Sequence, residues 1–344
     1  LQEYGIALGG TRVETMVEAR DLAKTYTRDG SQIEAVKGID LAVRRGEIFS
    51  LLGPNGAGKT TTISMISGLI QPTRGDAFIG GFSITQQPLQ AKKLLGIIPQ
   101  EIALYPKLSA RANLEFFGQM YGLTGRELAR RVDELLAFSE LTDRQYDRIE
   151  TYSGGMKRRI NIAAGLLHHP RVVYMDEPTV GIDPQSRRRI LDTVKGLRDE
   201  SGVTVLYTTH LMEEAQELSD RVGIIDQGEI IALGSPGDLI QQVGEEDHLV
   251  INVGQAPVGG VVLQQLRDSV EGVSHAIYDP PGEAGEDQTN TSGRILISAL
   301  RGRKALRPIL RLLDDAGLDV QSVEVREPNL EAVFLKLTGR ALRD

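Results

Sequence analysis

The chain has 344 residues, which points to about two domains at the usual ~150 residues each. With 40% hydrophobic and 25% charged residues it falls among globular chains rather than disordered ones, and its net charge of -8 argues against a surface built for duplex nucleic acid. It has no cysteine, which excludes disulfide scaffolds, thiolate zinc sites and thiol nucleophiles. Residues 1–15 lack the basic start and apolar block of a secretory signal and are read as an N-terminal extension. No stretch reaches the ~18 consecutive apolar residues of a membrane-spanning helix. From 16 to 235, short apolar runs alternate with helical patterns. The runs Ile48–Leu52, Leu95–Ile98, Val172–Met175, Val203–Tyr207 and Val222–Ile225 are β-branched and bounded by glycine or polar residues, as buried strands of a largely parallel sheet are. Ser109–Glu150 is charged, helical in spacing and poor in strand signals, so a helical subdomain is expected over about 101–168.

A break at Gly234-Ser235-Pro236-Gly237 opens a linker over 236–247, with a short helical pattern at Asp238–Val243 and the acidic Glu245-Glu246-Asp247. From 248 to 344 the patterns run strand Leu249–Val253, helix Val261–Val270, strands Val273–Tyr278 and Ile295–Leu300, helix Ala305–Ala316 and strand Val320–Val325. This β-α-β-β-α-β order predicts an α+β domain of ferredoxin-like plan. Asp279–Gly293, rich in Pro, Gly, acids and Thr, predicts a mobile surface loop between the middle strands. The last helix, Asn329–Leu337, carries Leu330, Val333, Phe334 and Leu337 as one apolar stripe ready to dock.

The 38 glycines exceed the roughly 24 of average usage, and one cluster has an evident purpose. Gly53-Pro54-Asn55-Gly56-Ala57-Gly58-Lys59-Thr60 fits G-x-x-x-x-G-K-[ST] between a strand (Ile48–Leu52) and a helical run (Thr60–Gly68). The glycines let backbone N–H groups of Gly53, Asn55, Gly56, Ala57 and Gly58 turn inward around phosphate oxygens at a helix N-terminus. Lys59 is expected to reach the β and γ phosphates, Thr60 to ligate Mg²⁺ and Thr61 to add a phosphate hydrogen bond. The alternative, a chance match in a glycine-rich turn, is opposed by the strand–loop–helix context. Val172-Val173-Tyr174-Met175-Asp176-Glu177 is an apolar strand ending in two carboxylates. A parallel strand next to the phosphate-loop strand would carry Asp176 to the Mg²⁺ shell and leave Glu177 to polarise an attacking water.

Tyr152-Ser153-Gly154-Gly155-Met156 precedes a helical run and makes a second anion nest. One nucleotide needs one nest, so two per chain suggest that two copies pair head to tail, each nest closing on the other's nucleotide. In this order the motifs resemble the ATP-binding cassette (ABC) ATPases, whose signature is Leu-Ser-Gly-Gly-Gln. Tyr152 and Met156 depart from it, while Ser153, Gly154 and Gly155 match. The Y-S-G-G-M form is similar to that of the drug-resistance branch of bacterial exporters. The resemblance covers about 16 to 235. It implies a P-loop NTPase cassette that binds ATP and Mg²⁺, with Ser153–Gly155 contacting the γ-phosphate in trans. It further implies that Gln100 is the Q-loop glutamine near Mg²⁺ and that Asp183, in Gly181-Ile182-Asp183, is the D-loop aspartate signalling across the dimer. His210 would be the switch histidine on the γ-phosphate and Tyr26 the aromatic stacking on adenine. For His210 and Tyr26 the plain alternatives are a structural histidine at a strand end and an ordinary surface tyrosine.

The stretch Glu327-Pro328-Asn329-Leu330-Glu331-Ala332-Val333-Phe334-Leu335-Lys336-Leu337-Thr338-Gly339 resembles the close of daunorubicin-resistance-type and similar multidrug or polysaccharide exporter ATPases. A dimerisation or regulatory role is favoured for this domain over ligand sensing, because the tail helix has a stripe to bury. Tyr105, Phe116, Phe117 and Tyr121 gather in or beside the helical insertion, either as core or as a groove for a coupling helix of a permease. Arg187-Arg188-Arg189 reads as a solvated face. The whole implies an ATPase subunit powering export through an integral membrane permease, peripheral on the cytoplasmic face of the membrane, with a second copy as partner and no nucleic acid. The rival readings are a soluble ABC-type ATPase acting on nucleic acid or the ribosome, and an importer ATPase. The absence of zinc cysteines, of a second cassette and of sustained heptads opposes the soluble class.

Overall fold

A computed structural model describes residues 14–28, 30–242, 246–254, 257–281, 293–300, 302–326 and 329–339. The N-terminal extension, apart from its last residues, most of the Asp279–Gly293 loop and Glu327-Pro328 lie outside them, as do residues 243–245 of the linker. The chain divides into two units, 1–231 and 232–344.

The first unit runs β1 (Thr15–Arg28), β2 (Ser31–Arg44), β3 (Ile48–Leu52), α1 (Lys59–Ile66), β4 (Arg74–Ile79), β5 (Phe82–Ser83), α2 (Pro88–Lys93) and β6 (Leu95–Ile98). The helices α3 (Ala110–Met120), α4 (Gly125–Phe138) and α5 (Gly154–Gly165) follow, then β7 (Val172–Asp176), α6 (Pro184–Ser201), β8 (Thr204–Thr209), α7 (Met212–Leu218), β9 (Arg221–Asp226) and β10 (Glu229–Gly234). A six-stranded sheet has the order β10-β9-β3-β8-β7-β6, and β9, β3, β8, β7 and β6 pair in parallel. Its strands read as continuous apolar runs because both faces are covered. Ile48, Val173, Met175, Val205 and Tyr207 point into a core shared with α3 to α6, while Phe49, Leu51, Val172, Tyr174 and Leu206 point into a second core on the opposite face. That second core is shared with an antiparallel sheet of order β2-β1-β4-β5.

Two features differ from the sequence reading. The antiparallel sheet was not among the expected runs. One of its faces meets solvent, and its register shifts between Ala19 and Leu22 and again at Lys24/Thr25, which breaks the period-2 alternation. The acidic strand β7 is not adjacent to the phosphate-loop strand β3. β8 lies between them, pairing Leu52 with Thr209 on one side and Asp176 with Thr208 on the other.

The second unit holds α8 (Pro236–Gln241), β11 (Glu246–Asn252), α9 (Gly260–Ser269), β12 (Val273–Asp279), β13 (Arg294–Leu300), α10 (Gly302–Asp315), β14 (Ser322–Arg326) and α11 (Leu330–Thr338). Its sheet has the order β12-β13-β11-β14 and every pair is antiparallel. Leu249, Ile251, Ile295 and Ile297 pack with Leu266 of α9 and with Ala305, Ile309 and Leu313 of α10. The helix α11 starts at Asn329, whose Oδ1 accepts the Ala332 N–H at 3.1 Å, and packs on α8. Leu330, Val333 and Phe334 are almost fully buried, whereas Leu337 is 48% exposed. Most of the stripe is thus covered in the single chain, and Leu337 is left at the surface. Truncating Phe334 to alanine is expected to destabilise the protein by about 3–5 kcal/mol, measured as a shifted denaturant midpoint. A free docking stripe would instead leave the midpoint unmoved.

Candidate active site

The phosphate loop joins β3, buried throughout, to α1. Gly58 takes φ 107° as N-cap of α1, and a Cβ there would lie 2.7 Å from the Ala35 carbonyl oxygen of β2, so only glycine fits. The Nζ of Lys59 donates to the carbonyl oxygens of Gly53 at 2.7 Å and Pro54 at 3.2 Å, and lies 3.2 Å from Oε1 of Glu177. Its three N–H groups thus face three partners. Asn55, Gly56 and Thr60 are exposed, Thr61 is half-buried and Ala57 is buried.

Glu177, at the end of β7, is 9% exposed and has φ 42°, a left-handed backbone that costs a non-glycine residue about 1–2 kcal/mol. Its N–H meets both the carbonyl oxygen (3.2 Å) and Oγ1 (3.0 Å) of Thr208, which hold it in place. Its Oε2 lies 3.2 Å from Nδ1 of His210. The close approach of His210 and the neighbouring Lys59 ammonium hold the Glu177 carboxyl below the usual carboxylate range, against burial, which pushes it up. Asp176, also buried, accepts a hydrogen bond from Thr208 Oγ1 at 2.7 Å. Lys59, Glu177 and His210, taken from three separate motifs, meet at one point.

Other expected site residues are not in that contact. Gln100 is exposed just past β6, on a turn gripped by the buried Arg158 of α5, which donates to the carbonyl oxygens of Pro99 (2.7 Å) and Gln100. Asn161 of the same helix accepts from Ala103 N–H at 3.2 Å. Ser153 caps α5 by accepting the Met156 N–H at 3.3 Å, and with Gly154 it is exposed. Among the described residues no hydrogen bond joins Ser153–Gly155 to the phosphate loop. A Cβ on Gly155 would run into Ser186 Oγ, so α5 and α6 approach closely there. Tyr152 and Met156, the departures from the signature, face the core shared with α3 to α6. Asp183 caps α6, accepting the Ser186 N–H at 2.9 Å, a bond that lowers its carboxyl pKa. Tyr26, 40% exposed on β1, pairs across the hairpin with exposed Ile33 and has Lys24 Nζ 5.3 Å above its ring. The β2 segment that holds Ala35 against Gly58 brings this hairpin beside the loop.

Sequence reasoning passed over Arg158, Thr208 and Glu214, the last a buried carboxylate just behind the site. It also treated Phe116 and Phe117 together. Phe117 is half-buried against the core, while Phe116, Tyr105, Met120 and Tyr121 are exposed, with Tyr105 and Phe116 edge to face at 5.0 Å.

Thr60, Asp176 and Gln100 offer hydroxyl, carboxylate and amide oxygens, a sparse set of hard donors. Among the described residues no group of three or more His, Cys, Asp or Glu could cage an ion. The donor set suits Mg²⁺, which is held by one or two protein ligands and otherwise by water and substrate phosphates.

A family model described as ABC transporter matches residues 36–180. Over 329 residues the chain is 46% identical to the linearmycin resistance ATP-binding protein LnrL of Bacillus subtilis, spanning 96% of this chain and 100% of that protein. It is 36% identical to the daunorubicin resistance ATP-binding protein DrrA3 of Streptomyces coeruleorubidus, over 89% of this chain and 92% of that one. It is 38% identical to the Nod factor export ATP-binding protein I of Cupriavidus metallidurans, over 96% and 99%. A solved dimeric ATP-binding cassette in a post-hydrolysis state with ADP and Pi matches at TM-score 0.59 and 28% identity, over 64% of this chain and 98% of that chain. With relatives of this kind along nearly its whole length, the chain belongs to the ABC transporter family, as a subunit that binds ATP with Mg²⁺ and hydrolyses it.

Proposed function

We propose that two copies of this chain close head to tail on two ATP molecules and so power export through a separate integral membrane permease. The observation that carries the hydrolytic half of this reading is Glu177, kept ionised between Lys59 and His210 on a backbone held by Thr208. The loop amides from Gly53 to Gly58 bind phosphate oxygens, and Tyr26 stacks on the adenine. Thr60, Asp176 and Gln100 would hold Mg²⁺, which when bound offsets the phosphate charge. Lys59 exchanges one of its present partners for a phosphate oxygen and loosens its hold on Glu177. The freed carboxylate takes the proton of the water that attacks the γ-phosphorus in line, as the bond to the β–γ bridging oxygen breaks and that oxygen leaves with ADP. Lys59, and His210 at its flank, stabilise the developing charge. Ser153, Gly154 and Gly155 of the second copy donate to the same phosphate, with Asp183 at the seam.

The export half is supported by relatives named for linearmycin resistance, daunorubicin resistance and Nod factor export, so the cargo class is a drug, lipid or glycan. No helix of the described residues is long and apolar enough to cross a membrane, and the subunit would sit peripherally on the cytoplasmic face, held by the permease. The exposed patch of Tyr105, Phe116, Met120 and Tyr121 fits a coupling segment of that permease. The antiparallel β-α-β-β-α-β unit fits a ferredoxin-like domain with a regulatory role. Purification from membranes in mild detergent is expected to recover a multi-span partner, and Phe116→Asp to release it while ATP binding is kept. Phe117→Asp is expected to lower stability instead. Absence of any integral membrane partner would overturn the export reading.

A further inference from the structure

Glu214, in the first turn of α7, belongs to none of the sequence motifs, yet it is 3% exposed and gathers groups from two of them. Its Oε2 accepts hydrogen bonds from Thr179 Oγ1 at 2.9 Å, Tyr207 Oη at 2.9 Å and Thr209 Oγ1 at 3.2 Å. Its Oε1 faces Nε of Arg187 at 3.6 Å, and neither of these buried atoms has a hydrogen-bond partner. Arg187, read from sequence as part of a solvated face, is thus drawn inward. Thr179 lies two residues past Glu177. Arg187 lies in the first turn of α6, its N–H bonded to the Asp183 carbonyl oxygen at 2.8 Å. The segment from Val180 to Asp183 is therefore tethered at both flanks to one carboxylate. Thr209 directly precedes His210, and its Oγ1 also accepts the Leu211 N–H at 2.9 Å, which fixes the turn that carries the histidine.

A buried carboxylate is unfavourable unless donors converge on it, and here the donors come from segments that serve different roles. An apolar residue at 214 would leave three hydroxyls facing hydrocarbon, so the four groups form a unit. We propose that Glu214 is a positioning residue that couples the D-loop to the switch histidine. A displacement of Thr179 or Arg187 shifts the shared acceptor, and through Thr209 re-aims His210. This rests on the roles proposed above for Asp183 and His210. It makes each chain report contact at its D-loop to its own γ-phosphate position.

The test uses the full chain and the near-isosteric changes Thr179→Val and Thr209→Val, singly and together, with Glu214→Gln. Each single valine is expected to lower kcat about fivefold with KM for ATP within about twofold. The double variant and Glu214→Gln are expected to fall about as far as one single variant, because both hydroxyls act through the same carboxylate. Thr179→Ser and Thr209→Ser keep the hydroxyl and are expected to restore kcat. Multiplying effects in the double valine variant, serine variants as slow as valine ones, or valine variants at parental kcat would each overturn the coupling. Glu177→Gln in the same assay separates the two levels. A parent that hydrolyses ATP, silenced by Glu177→Gln, with unaffected valine variants sinks the Glu214 role and leaves the ATPase reading standing. A parent without ATPase activity sinks both.

Discussion

Replacing Glu177 by glutamine is expected to cut ATP turnover by about two to four orders of magnitude, the usual worth of a general base, while ATP binding persists. The amide keeps the volume and one acceptor oxygen, so Lys59 and His210 each lose a charged partner without a cavity opening. With the base gone, the nucleotide is bound but not consumed, and the variant should accumulate as an ATP-held dimer on gel filtration, where the parent returns to monomer. Turnover near the parental rate would exclude Glu177 as the base. A second signature follows from linkage. The native carboxyl titrates below its unfolded value, so it contributes stability above the unfolded pKa, and this is lost as pH falls through the lower native one. Without nucleotide, the variant should therefore be less stable than the parent near neutrality, and the gap should close below about pH 4.

Those residues could be chosen from sequence because their neighbours in the chain explain them. Lys59 follows a loop that needs Gly58 at φ 107°, and Asp176 and Glu177 end a strand buried on both faces. The parallel strands were legible for the same reason, since two-sided burial writes a continuous apolar run. What was not legible depends on pairs distant in sequence. Arg158 and Gln100 are 58 residues apart and Glu214 and Thr179 are 35 apart, and nothing local marks either pair. The place of β8 between β3 and β7 is a matter of strand order, which apolar runs do not encode. The stripe on α11 showed that one face must be buried but not against what, and Phe116 and Phe117, adjacent in sequence, divide between surface and core on the turn of one helix.

Mixing two inactive variants is expected to restore activity. Lys59→Ala removes the phosphate contact of the loop, and Ser153→Arg fills the nest at the start of α5. Each variant on its own has two defective sites per dimer if each site combines the loop of one copy with the nest of the other. In a mixed dimer both defects fall on the same site, and the second site pairs the intact Lys59 of one copy with the intact Ser153–Gly155 of the other. Random pairing of equal amounts makes half the dimers mixed, each with one working site, so turnover should return to about one quarter of the parental value. The exposure of Ser153 and Gly154 at the start of α5 leaves this nest open to a second copy. The close packing of Gly155 on Ser186 ties the nest to the helix that Asp183 caps, so nest and D-loop would approach the second copy as one rigid edge. If the sites lay within single chains, the mixture would show no more activity than the two variants measured apart, and the shared-site reading would fall while the assignment of Lys59 and Glu177 stood.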